Sequence, residues 1–172
     1  MSSIGSAATK VALSGAAVGI VLFRSRRMPR DEMGLVRPPV APSVLFIAVY
    51  LIWMLGTDAL LGWRGPWDWQ PWREAPLIAS ALRVLAVCFL GPTAEELIFR
   101  GFFFALLKPR VGIALTIAIT AATWAVLHYE YSWQVILVIL VDGILLGLAR
   151  WRTRSVITPI AMHMLYNLYA IW

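Results

Sequence analysis

Apolar residues crowd into six stretches, at roughly 4–23, 40–62, 77–107, 111–128, 133–149 and 156–172, separated by short polar punctuation. A helix needs about 20 apolar residues to cross a bilayer, so the pattern predicts six helices. The first stretch is the weakest. Lys10 leaves only Val11 to Phe23 unbroken, a length that suits a signal-peptide core as well as an anchor. Arg24-Ser25-Arg26-Arg27 follows it where a cleavage site would need small residues, so an uncleaved anchor or an interfacial segment is expected. Pro38, Pro39 and Pro42 close a basic loop and open a helix, a position where proline costs little. Gly91-Pro92 differs, because it falls inside the third stretch. There proline removes a backbone hydrogen bond and predicts a kink.

Composition turns these stretches into membrane spans. Of the 172 residues 60% are hydrophobic and 14% charged, against about 45–50% and 25% in soluble domains. The expected fold class is all-α: a polytopic transmembrane helical bundle of about six spans, in the lipid bilayer of a bacterial cytoplasmic membrane. At this length no separate soluble domain fits. The expectation is one membrane-embedded domain over 1–172, with 1–39 as anchor helix and basic loop and 40–172 as the core bundle.

The net charge of +6 then reads as topology, and no nucleic-acid partner is expected. Five arginines lie from Arg24 to Arg37, Lys108 and Arg110 flank Pro109, and Arg150, Arg152 and Arg154 follow the fifth stretch. With one crossing per stretch all three clusters share a face, which the positive-inside rule makes cytoplasmic. The opposite face receives Trp63, Trp67, Trp69 and Trp72, and also Tyr129 to Trp133, as an interfacial aromatic belt. The lone Cys88 can form no internal disulfide.

Ionisable groups within spans point to function, because burying them in lipid is expensive. Glu95 and Glu96 are adjacent, so on a helix they point about 100° apart. Glu96 and Arg100 are four residues apart and can pair on one face, which leaves Glu95 free to face something else. His128 ends a helix one turn after Trp124. His163 and Asn167 share a face of the last helix, where both can donate hydrogen bonds toward one point. Asp142 precedes Gly143 and Gly147, whose spacing suggests close helix packing. It could pair with a histidine or with Arg100, and is not assigned to catalysis.

Three of these groups resemble the motifs of the CPBP family, the CAAX-prenyl-protease and bacteriocin-processing intramembrane proteases also called Abi. The chain carries Glu95-Glu96-Leu97-Ile98-Phe99-Arg100 for EExxxR, Trp124 to His128 for FxxxH, and His163 to Asn167 for HxxxN, all between about 90 and 172. Trp124 departs from the family's usual phenylalanine. Asp31 to Leu35 also resembles a short stretch that precedes the family's first shared helix.

The resemblance implies a glutamic intramembrane endopeptidase that cuts a hydrophobic peptide or tail-anchored protein. Glu95 would be the general base, His128 would hold or deprotonate the water, and His163 and Asn167 would donate to the oxyanion. Glu96 and Arg100 would orient the helix. No metal and no other cofactor is expected. Two histidines and a carboxylate could in principle supply three zinc ligands, but HExxH is absent and Asn167 suits a donor role better. A peptide-sequestering immunity protein of the same fold and a small proton-coupled or ion-coupled transporter remain as alternatives.

Depth poses a difficulty for convergence. At 1.5 Å per residue, His128 lies roughly 25 Å from the basic end of its helix, whereas His163 lies only about 10–12 Å from its own. A tilt, a bend or a continuing helix must bring them level. The expected result is a buried site near mid-bilayer, under a funnel toward the tryptophan-rich face.

Overall fold

A computed structural model describes residues 4–61 and 76–170 of the protein. The tryptophans expected in the aromatic belt at 63, 67, 69 and 72 lie outside the described residues. The helices are α1 (Ile4–Ser25), α2 (Val40–Leu61), α3 (Leu77–Val126), α4 (Trp133–Thr153) and α5 (Ile157–Ala170). The first four are long and apolar enough to cross a membrane. Many of their large apolar side chains face outward, among them Leu13, Ile20, Val44, Ile52 and Leu137, as lipid-facing residues do.

Although α3 runs for 50 residues, it is no single rod. Gly112 adopts φ 76° and ψ 173°, a conformation open to glycine because it lacks a Cβ. Beyond it the chain folds back. Trp124 Nε1 lies 2.7 Å from Glu95 Oε2, whereas a straight helix would hold residues so spaced about 43 Å apart. Two antiparallel arms result, 77–111 and 113–126, so the described residues contain six helical arms in the order the sequence predicts. With 14 described residues, α5 spans only about 21 Å.

The arms pack through small residues. A Cβ at Gly143 would come within 2.9 Å of Ala121 Cα, and one at Gly147 within 3.0 Å of Ile117 Cγ2. This is the close approach that the spacing of Gly143 and Gly147 suggests, and it clamps α4 onto the second arm of α3. Meanwhile α5 lies against α2, α4 and the first arm, and α1 lies mainly against the first arm.

One end of the bundle is sealed by the α1–α2 connection. Arg150 reaches across it, with Nε donating to Arg100 O at 2.9 Å and Nη2 to Glu32 O at 2.7 Å. Val156 N donates to Gly34 O at 2.8 Å, and Ser155 Oγ to Val36 O at 2.7 Å. Such interhelical and loop bonds satisfy backbone carbonyls that lipid cannot. Gly34 has φ 72°, and a Cβ there would lie 2.6 Å from Arg150 Cζ. Gly34→Ala is therefore expected to lower stability by about 1–3 kcal/mol through backbone strain alone, with displacement of Arg150 adding to it. A reduced melting temperature in detergent checks this.

Candidate active site

Glu95, Glu96 and Arg100 sit on the first arm of α3, where the helix widens into π-helical turns at Leu85–Leu90 and Leu97–Phe103. Such bulges shift the facing of successive residues and gather at functional sites. Glu96 and Arg100 are fully buried and form an ion pair of 2.9 Å, Nη1 to Oε1. The same Oε1 lies 3.0 Å from His163 Nδ1. Spacing alone does not predict this third member, since Glu96 and His163 are 67 residues apart. Arg100 also donates from Nη2 to Gly143 O at 3.0 Å, and its guanidinium sits 4.9 Å over the Trp124 ring.

Glu95 points the other way and is half-buried. Trp124 touches Glu95, Arg100, His128 and His163. Its indole donates to Glu95 Oε2, its ring meets the imidazoles of His128 and His163 edge to face at 5.2 Å each, and its carbonyl lies 2.9 Å from His128 Nδ1. Because a carbonyl only accepts, His128 must carry its proton on Nδ1, leaving Nε2 as the acceptor of the neutral ring.

The kink explains the position of Asn167. Gly91 N donates to Ala86 O, five residues back. In that register the next donor would be the N–H of residue 92 to Val87 O, and Pro92 has none. Asn167 Nδ2 fills the gap at 2.8 Å. One of its two N–H groups is thus committed to the helix, and the other is free of that bond.

Glu95, His128, His163 and Asn167 all line one cavity of about 770 Å³. The hairpin in α3 brings them level. Gly101 abuts Met33 in the sealed floor, and Val156 bonds to Gly34 beside it, so both residues mark floor height. Counting at 1.5 Å per residue, Glu95 stands about 9 Å above the floor and His163 about 10 Å. The hairpin descends about 16 Å past Gly101 before Gly112 and climbs about 24 Å back to His128, which ends about 8 Å above the floor. The depth mismatch in the linear reading vanishes because one helix pair starts far below the other.

Residues 77–169 match the family model described as type II CAAX prenyl endopeptidase Rce1-like, just over half of the chain. The chain belongs to this Rce1-like family. Among curated proteins and among solved structures, none matches it. Its Rce1-like segment holds all of Glu95, Glu96, Arg100, Trp124, His128, His163 and Asn167, and the family is one of membrane proteases, so the chain is an integral membrane member of a hydrolase family.

Outside the matched segment, α2 supplies residues that sequence reasoning missed. Trp53 Nε1 donates to Asp142 Oδ1 at 2.8 Å, and the Tyr50 hydroxyl also bonds Asp142. Asp142 is buried and lines the same cavity. Its hydrogen-bond partners are an indole and a phenol, where the sequence offered a histidine or Arg100. The signal available was only that an aspartate inside a span needs a partner. At the far rim the Tyr169 hydroxyl donates to Asp58. Among the described residues, no three His, Cys, Asp or Glu side chains are grouped to hold a metal ion.

Proposed function

We propose that the protein is an intramembrane endopeptidase that hydrolyses a peptide bond in a membrane-associated peptide or tail by glutamate-activated water, the whole chain acting as one membrane-embedded unit. The observation that carries this reading is the convergence of Glu95, His128, His163 and Asn167 on one cavity from three separate helical arms.

In this mechanism a water lies between the Glu95 carboxylate and His128 Nε2. Glu95 takes one proton, and the water oxygen bonds to the scissile carbonyl carbon. Trp124 holds Glu95 Oε2, which leaves Oε1 to take that proton. The carbonyl oxygen becomes an oxyanion, stabilised by prealigned donors, each worth about 2.7–4 kcal/mol in comparable sites. Asn167 offers its second N–H. His163 has Nδ1 committed to Glu96, so it donates from Nε2 only as the doubly protonated ring, with Glu96 as counter-charge. When the tetrahedral species collapses, the C–N bond breaks and the proton held by Glu95 passes to the leaving amine. The products are a carboxylic acid and an amine, with no redox change.

Water activation in this scheme needs no metal ion. The purified protein, co-reconstituted in liposomes with single-span fusion proteins that carry varied apolar tails, is expected to cut a subset of them and to keep its rate in a strong chelator. Mass spectrometry of the released fragments reads the cut. Activity lost to the chelator and restored by zinc would replace this mechanism with a metal-dependent one.

A further inference from the structure

The cavity has a closed end and an open end. The helical residues lining it lie near the midpoint of their helix or toward the end away from the basic loops, Lys10 on α1, Asp58 on α2, Arg83 on α3 and Tyr169 on α5 among the outermost, and His128 and Tyr131 line it from the α3–α4 connection. The other end is filled. Met33, Arg100, Leu146, Ala149 and Val156, at or near floor level, are at most 1% exposed. The Arg150 bonds to Arg100 O and Glu32 O knit the α1–α2 connection across them.

That closed end carries the charge asymmetry. Ten of the 15 Lys and Arg residues lie in the three clusters at the floor end, whereas among the described residues only Lys10 and Arg83 belong to the opposite half. The sequence pairs three basic clusters with one face only by assuming a crossing per stretch. The structure joins two of them directly, since the loop around Glu32 and the α4–α5 junction are hydrogen-bonded to each other. The third, Lys108 to Arg110, sits at the tip of the hairpin below Gly101. An excess of Lys and Arg marks the cytoplasmic side, so the floor is cytoplasmic and the cavity opens away from it.

We infer that the site draws its water and its peptide from the non-cytoplasmic face. Its substrates are then exported, membrane-tethered polypeptides whose scissile bond dips into the outer half of the bilayer. A tail displayed only in the cytoplasm meets the packed floor. The substrate class rests on the proteolytic reading above, whereas the outward opening does not.

The test separates the two. In a Cys88→Ala background, single cysteines replace Tyr131 at the rim, Val135 inside the cavity, and Arg152 at the floor end, and a membrane-impermeant maleimide is applied to sealed vesicles of either orientation. Tyr131→Cys and Val135→Cys are expected to label in right-side-out vesicles and Arg152→Cys only in inside-out ones. Labelling of both cavity cysteines only in inside-out vesicles would overturn the inference. Two single-span fusion proteins that differ only in orientation supply the second arm, and only the one presenting its cleavable segment outside should be cut. Cutting of the cytoplasm-facing probe instead would overturn the substrate class. Outward labelling with neither probe cut would uphold the opening and count against proteolysis itself.

Discussion

Glu95→Gln is expected to cut peptide hydrolysis in proteoliposomes by a factor of about 10²–10⁴, the contribution typical of a general base, while leaving the melting temperature in detergent unchanged. The substitution keeps the side chain's shape. A glutamine carbonyl can still accept the Trp124 indole proton that Glu95 Oε2 accepts at 2.7 Å, so the packing survives. An amide cannot take a proton from water, so the chemistry does not. His128→Ala should lose activity similarly, since it removes a cavity-lining ring whose Nδ1 is held by Trp124 O, which leaves Nε2 for the water. Trp124→Phe removes the indole N–H and trims the ring but leaves an aromatic side chain between the two imidazoles, so its loss should be smaller than either. Full turnover by Glu95→Gln would remove Glu95 from the mechanism. The same variant discriminates between functional classes. A peptide-sequestering protein would keep its phenotype, and a transporter would show flux that follows pH.

Arg100→Ala should act on stability, lowering it by about 3–5 kcal/mol, as removal of one partner from a buried ion pair does. Arg100 and Glu96 are both fully buried, Arg100 also caps Gly143 O, and its guanidinium covers the face of Trp124. Removing it leaves the Glu96 carboxylate with only His163, in an interior fully shielded from solvent. Glu96→Gln should be costly for the mirror-image reason, since it strands Arg100. For a chain of this size each kcal/mol moves the melting temperature by about 2–4 °C, so a drop of about 10 °C in detergent is the expected reading. Two adjacent glutamates thus separate by assay, Glu95 by rate alone and Glu96 by melting as well as rate. A wild-type melting curve for Arg100→Ala would show that the pair contributes nothing to the fold.

Much of this arrangement is legible from local spacing. The six apolar stretches become six helical arms because the length needed to cross lipid is a property of each segment alone. The Glu96–Arg100 pair and the opposite facing of Glu95 follow from the pitch of one helix. The glycines at 143 and 147 announce a close contact without naming its partner, which proves to be Ala121 and Ile117.

What the sequence alone determined, then, is the facing and spacing of residues within a regular turn or span, though neither the π-helical turn at Leu97–Phe103 nor the reversal at Gly112. The relations between spans needed the tertiary structure. The bond from Glu96 to His163 joins residues 67 apart, that from Asn167 to Val87 residues 80 apart, and that from Trp53 to Asp142 residues 89 apart. The depth of His128 is the clearest case. Its distance from the basic end of its own helix can be counted, but how far that helix starts below its neighbours cannot, because the offset is set by Gly101 packing on Met33 and by the reversal at Gly112. Periodicity carries direction around a helix axis and distance along it. It carries no information on the relative height of two helices, which only their packing against a common floor decides.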